Sequence, residues 1–133
     1  MTEILKSWEP RILSVLRIMA ALLFVEHGTM KLLAFPAAMP GMSDGLPPLL
    51  LVAGIMELAG GAVLAVGLFT RPVAFLLSGE MAIGYFLFHA PHGFYPALNM
   101  GEPAVLYCFV FLYLVFAGGG AWGVDAMLAR NKA

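Results

Sequence analysis

The sequence predicts an all-α integral membrane protein, a four-helix bundle with both termini on the cytoplasmic side. Three observations carry this. The chain is 62% hydrophobic and only 11% charged over 133 residues, with a mean hydropathy of +0.92. A soluble domain this small has proportionally more surface to cover with polar groups. Four apolar stretches approach the roughly 20 residues that a helix needs to cross about 30 Å of hydrocarbon. Finally, the Lys and Arg residues outside those stretches fall in three segments that an even number of crossings places on one side.

The predicted helices run over residues 11–33, 47–69, 72–89 and 103–124. Pro47, Pro72 and Pro103 open three of them, where a missing N–H costs nothing. The first run follows Lys6 and Arg11 but continues through Glu26, His27 and Lys31 without a small-residue cleavage site, so it reads as a retained transmembrane helix. Residues 34–46, rich in Pro and Gly, read as an irregular loop, and residues 90–102 as a second loop bearing aromatic and polar groups. Thr70-Arg71 is a tight turn. No repeat or linker divides the chain, so residues 1–133 are expected to form a single domain.

Lys6 and Arg11 precede helix one, Arg71 lies between helices two and three, and Arg130 and Lys132 end the chain. The loops 34–46 and 90–102 have neither Lys nor Arg and face outward in the N-in, C-in arrangement. The expected location is the cell inner membrane, crossed several times.

Composition also excludes functions. A net charge of −1 offers no basic field for nucleic acid. Cys108 is the single cysteine, which rules out an intramolecular disulfide or a dithiol redox pair, and it reads as a small apolar helix residue.

The informative feature is the set of ionisable groups inside the apolar helices, where a charge costs at least about 2.5–3.5 kcal/mol by insertion scales. Each helix brings a glutamate: Glu26, Glu57, Glu80 and, at the mouth of the fourth, Glu102. Helix one adds Arg17, His27 and Lys31. Glu57 and Glu80 fall near mid-helix. Glu26, His27 and Lys31 fall in the outer half of helix one, and His89, His92 and Glu102 at the outer boundary. Together they form a polar funnel opening to the periplasmic side. Arg17 lies nearer the cytoplasmic end, where its side chain is expected to snorkel out.

At 100° per residue, Ala53, Gly54, Gly60 and Gly61 lie within about 60° of Glu57, so Glu57 is expected on a face that another helix approaches closely. His27 and Lys31 are one turn apart on a shared face, and a glutamate from another helix can pair with either. Glu57, Glu80 and Glu26 are the candidate catalytic proton carriers. His27, Lys31, His89, His92, Asn99 and Glu102 are the candidate ligand-binding residues. No metal site is expected. Phe94, Tyr95, Trp8 and Trp122 read as interfacial aromatics, Met19, Met30 and Met56 as packing, and Asp125 as the start of a short cytoplasmic tail.

The chain resembles the DoxX family over nearly its whole length. The matching elements are His27-Gly28-Thr29-Met30-Lys31-Leu32, Gly54-Ile55-Met56-Glu57-Leu58-Ala59-Gly60-Gly61 and the turn Gly67-Leu68-Phe69-Thr70-Arg71-Pro72. The outer loop from His89 to Glu102, with Leu106-Tyr107 after it, completes the pattern. The resemblance implies a compact four-helix bundle in the inner membrane and kinship with the DoxD type of thiosulfate:quinone oxidoreductase subunit. The expected function is that of a quinone-interacting membrane oxidoreductase subunit. His27 or Lys31 would hydrogen-bond a quinone headgroup, Glu57, Glu80 or Glu26 would move protons, and a partner protein or small reductant would supply electrons. Two other functions use the same residues: a non-enzymatic scaffold or anchor for a partner protein, or a small transporter of a weak acid or metal ion.

Overall fold

The computed structural model describes residues 1–40 and 45–132. Within the predicted loop 34–46, residues 41–44 lie outside the described residues. All regular elements among the described residues are helical. Among the described residues, three helices are long and apolar enough to cross a membrane: Thr2–Leu33, Pro48–Val66 and Thr70–His92. The fourth apolar helix, Glu102–Ala117, has 16 residues and spans about 24 Å.

The chain divides into two compact units, Met1–Phe69 with Gly119–Ala133, and Thr70–Gly118. In the first unit, α1 (Thr2–Leu33) packs along a rod made of α2 (Pro48–Ile55), a π-helical turn (Met56–Gly60) and α3 (Gly61–Val66). The predicted helix 11–33 starts earlier because Pro10 is accommodated inside it, with the Arg11 guanidinium donating to Ser7 O at 2.9 Å. The buried face of α1 is Ser14, Arg17, Ala20, Ala21, Phe24 and Gly28, a spacing of three and four residues that places them on one side. The rod ends at Gly67, whose φ of 71° is the left-handed conformation of a helix C-terminus.

Arg17 does not snorkel. It is 1% exposed, and its guanidinium donates to Leu64 O and Ala65 O at 2.7 Å, to Gly119 O at 2.9 Å and to Trp122 O. Leu64 and Ala65 belong to the last turn of α3, whose carbonyls carry the negative end of its dipole; Leu64 O also accepts from Gly67 N at 3.0 Å. A fixed cation with five donors suits that end better than water does.

The predicted helix 103–124 stops at Ala117 because three glycines follow. After Gly118 (φ 84°), Gly120 (φ 82°) passes so close to Ser14 and Pro10 O that a Cβ would overlap them. There Ala121 N donates to Pro10 O at 2.9 Å and Trp122 N to Ser14 Oγ at 3.0 Å. The segment then enters α7 (Val124–Arg130). Asp125 is more than the start of a tail: its N–H donates to Gly67 O and its carboxylate accepts from Phe69 N, both at 2.9 Å.

In the second unit, α4 (Thr70–Gly84) continues through a π-helical turn (Tyr85–His89) and a 3₁₀ turn (Ala90–His92). A short helix, α5 (Pro96–Asn99), interrupts the predicted loop, and α6 (Glu102–Ala117) packs against α4. Ser78 Oγ donates to Cys108 O at 2.8 Å across that packing. Arg71 donates to Val115 O and Phe116 O at 2.7 Å, again the last turn of a helix.

The two units therefore share a device, and the residues that carry it are repeated. Arg17-x-x-Ala20-x-Leu22-Leu23-x-x-Glu26 in α1 has its counterpart in Arg71-x-x-Ala74-x-Leu76-Leu77-x-x-Glu80 in α4. Each run is followed by a second helix whose final carbonyls the arginine binds and by a glycine with positive φ, Gly67 or Gly118. This corrects the expectation of a chain without internal repeats. In apolar helices, matches at Ala and Leu carry little weight until the shared arginine role singles them out.

Candidate functional site

Lys31, in the last turn of α1, places its Nζ 2.6 Å from both Glu57 Oε1 and Glu57 Oε2. The two side chains are 7% and 4% exposed, so the ion pair is buried. It joins α1 to the rod within helices able to span a membrane.

Small residues make this approach possible. A Cβ on Gly28 would stand 2.6 Å from Leu58 N and 3.0 Å from Gly54 O. On Gly54 it would meet Leu32 Cδ2 at 3.0 Å and Lys31 Cβ at 3.1 Å, and on Gly61 it would meet Val25 Cγ2 at 2.8 Å. Glycines thus remove the bulk that would hold the two backbones apart. Glu57 also sits on the π-helical turn Met56–Gly60, a widening of the helix that recurs at functional sites. Because the obstacles to a Gly28 side chain are backbone atoms, Gly28→Ala should separate α1 from the rod. The expected loss is about 1–3 kcal/mol, as for overpacking generally, read as a lower thermal midpoint of purified protein.

The other candidates of this unit are Glu26 and His27, the latter close enough to interact electrostatically with Glu57. Glu26 is on the exposed side of α1, and its carbonyl accepts from the Thr29 hydroxyl at 2.9 Å. His27 is half-buried, with Nδ1 2.9 Å from Leu23 O. A carbonyl only accepts, so Nδ1 is the donor in this contact.

In the second unit, Glu80 is half-buried on α4, both carboxylate oxygens withdrawn from the surface. Asn99 is 6% exposed and engaged on every side. Its amide donates to Gly93 O at 2.8 Å and Tyr85 Oη at 3.3 Å, while Oδ1 accepts from Gly101 N at 2.8 Å. His89 Nδ1 donates to Asn99 O at 3.0 Å, and the His89 ring stacks on Tyr85 with centroids 6.3 Å apart. This network braces the loop from Gly93 to Gly101. His92 is exposed, with Nδ1 on Phe88 O at 2.9 Å, and exposed Glu102 opens α6, where a carboxylate complements the helix dipole. Among the described residues, no group of three or more His, Cys, Asp or Glu has the geometry to hold a metal ion.

The residues that sequence reasoning missed are Arg17, Ser14 and Asp125. Arg17 was visible only as a lone charge, because its partners are backbone carbonyls that carry no residue signature. The glycines at 118–120 were the available signal that a segment comes close to something.

The DoxX family model matches residues 12–90, a stretch that includes both Lys31 and Glu57. An uncharacterized protein of Haemophilus influenzae is 48% identical over 125 residues, covering 91% of this chain and 93% of the relative. No solved structure matches. With a family model spanning more than half of the 133 residues and a relative similar along nearly its whole length, the chain belongs to the DoxX family of membrane proteins.

Proposed function

We propose that this protein is a quinone-interacting subunit of an inner-membrane oxidoreductase, crossing the bilayer several times, with the Lys31–Glu57 pair as its polar centre. The observation that supports this reading is the buried pair itself, held where only lipid-soluble substrates have ready access. An ammonium has three donors, and Glu57 takes two of them. The third can donate to a quinone carbonyl, stabilising the negative charge that builds on oxygen during reduction. Glu57 is the adjacent proton carrier, and His27, one turn before Lys31, is the second candidate donor to the quinone headgroup. A quinone takes two electrons and two protons to become the quinol; a partner protein or small reductant delivers the electrons. Purified protein is expected to bind a short-chain ubiquinone analogue, and Glu57→Gln and Lys31→Met to lose that binding, measured by calorimetry. Equal affinity in the variants, or no binding by the parent protein, rejects the proposal.

A second reading has its own support. Glu57 satisfies Lys31 with both oxygens, and glycine contacts close around the pair, as a lock between helices would require. In that reading the protein is a scaffold, and the pair sets helix register.

A further inference from the structure

α1 is too long for the membrane that its neighbour crosses. The rod Pro48–Val66 has 19 residues, about 28 Å, which matches the hydrocarbon thickness. Arg17 binds the carbonyls at the end of that rod, so it marks the level at which the hydrocarbon stops. The preceding turns of α1 extend about 20 Å beyond that level. The segment 119–123 crosses α1 between Pro10 and Ser14, which also places this part of the helix among polar backbone rather than lipid tails.

An apolar stripe begins in this overhang and continues past Arg17; within its own unit the Arg11 guanidinium lies 5.3 Å from the Trp8 ring centroid. Leu5, Trp8, Ile12, Val15, Met19 and Leu22 are between 42% and 66% exposed. They follow one another at steps of three, four, three, four and three residues, with Met1 four residues ahead of Leu5. That alternation is the 3.5-residue period of a coiled-coil seam. Turned at 100° per residue, the seam lies opposite the face that packs on the rod through Ser14, Arg17, Ala21 and Phe24. Residues 1–12 are all exposed. Ile4, Leu16 and Leu23 beside the seam are exposed as well, so lipid accounts for the breadth of the apolar face but not for its continuation past the end of the rod.

We infer that two copies of this chain associate through a parallel α1–α1 coiled coil that begins in the aqueous overhang and continues into the bilayer. A second copy is the occupant that fits best. Copies inserted with the same orientation present their α1 helices parallel, at the same height and with overhangs of equal length. Any other partner needs an equally tall helix with the same period. No charged side chain interrupts the seam from Leu5 to Leu22. Glu9 flanks it on one side and Arg11 on the other, and a two-fold axis along the membrane normal sets the Glu9 side of one copy against the Arg11 side of the second. Pro10 lies on the far side of the helix from the seam, where the hydrogen bond it removes does not disturb the pairing.

Cysteine scanning of the full-length chain in its native membrane tests the inference, in a Cys108→Ala background so that the native thiol cannot react. Under mild oxidation, Leu5→Cys and Ile12→Cys should give disulfide-linked homodimers in several-fold higher yield than Lys6→Cys and Ser7→Cys on other faces of the same turns. Leu5→Glu combined with Ile12→Glu should shift protein in nanodiscs from the dimer mass to the monomer mass at an unchanged thermal midpoint. Homodimer yields that do not vary around the helix, adducts only with a protein of another mass, or a monomer mass for the parent chain would each overturn the inference.

Discussion

Glu57→Gln should cost this protein about 3–5 kcal/mol, the usual loss when one partner of a buried ion pair is removed and the other charge stays behind. Lys31 would keep an ammonium that is 7% exposed with no carboxylate to meet it. Thermal unfolding of purified protein in detergent measures the loss, and Lys31→Met should show one of similar size. The informative variant is the double substitution Lys31→Leu with Glu57→Leu, which removes both charges together. Apolar replacements of buried pairs are often neutral or stabilising, so most of the stability should return. Binding then separates the two functional readings. Where the parent protein binds quinone, a refolded double variant that binds none makes the pair a working site. One that retains every property of the parent protein makes it a lock, and the scaffold reading stands.

Arg17→Met should release the segment that follows Gly118. The guanidinium serves four carbonyls: Leu64, Ala65, Gly119 and Trp122. Leu64 O keeps the Gly67 N–H at 3.0 Å, but each buried carbonyl left without a donor costs about 1–3 kcal/mol, and methionine fills the volume without offering one. Arg17→Lys should recover part of the effect, since an ammonium keeps the charge but not the planar fork that reaches separate acceptors. In a Trp8→Phe background, Trp122 alone reports on the segment. Its emission should shift to the red in Arg17→Met, and limited proteolysis should cut between Gly119 and Arg130. Unchanged emission and an uncut tail would show that the other bonds, such as Ala121 N to Pro10 O, suffice to hold the segment.

The parts of this architecture that were legible in the sequence are those encoded by side chains of distinct type. Helix periodicity put His27 and Lys31 on one face and set Glu57 among glycines, leaving two partners open for the carboxylate; the structure pairs it with Lys31. What was not legible depends on backbone. A main-chain carbonyl looks the same in every residue, so neither the Arg17 cap nor the Arg71 cap could be anticipated. The π-helical turns Met56–Gly60 and Tyr85–His89 likewise carry no residue signature. The fourth apolar stretch, predicted to run to residue 124, includes Ala121, Trp122 and Val124. The three glycines before them weigh more, ending the helix at Ala117. Asn99 stands among the ligand-binding candidates, and its side chain binds Gly93 O, Gly101 N and Tyr85 Oη within its own unit.

The paired arginine caps have a consequence for ancestry. A run of Arg-x-x-Ala-x-Leu-Leu-x-x-Glu, a returning helix and a left-handed glycine form a complete hairpin, and this chain contains it twice. Such a unit brings its own closure, so a gene that copies it in tandem gains a second hairpin without inventing a new contact. After copying, the halves are free to diverge. In this chain the arginine is buried in the hairpin that holds the Lys31–Glu57 pair and exposed in the one that holds the Asn99-braced loop, and Glu26 and Glu80 occupy equivalent positions of the two runs.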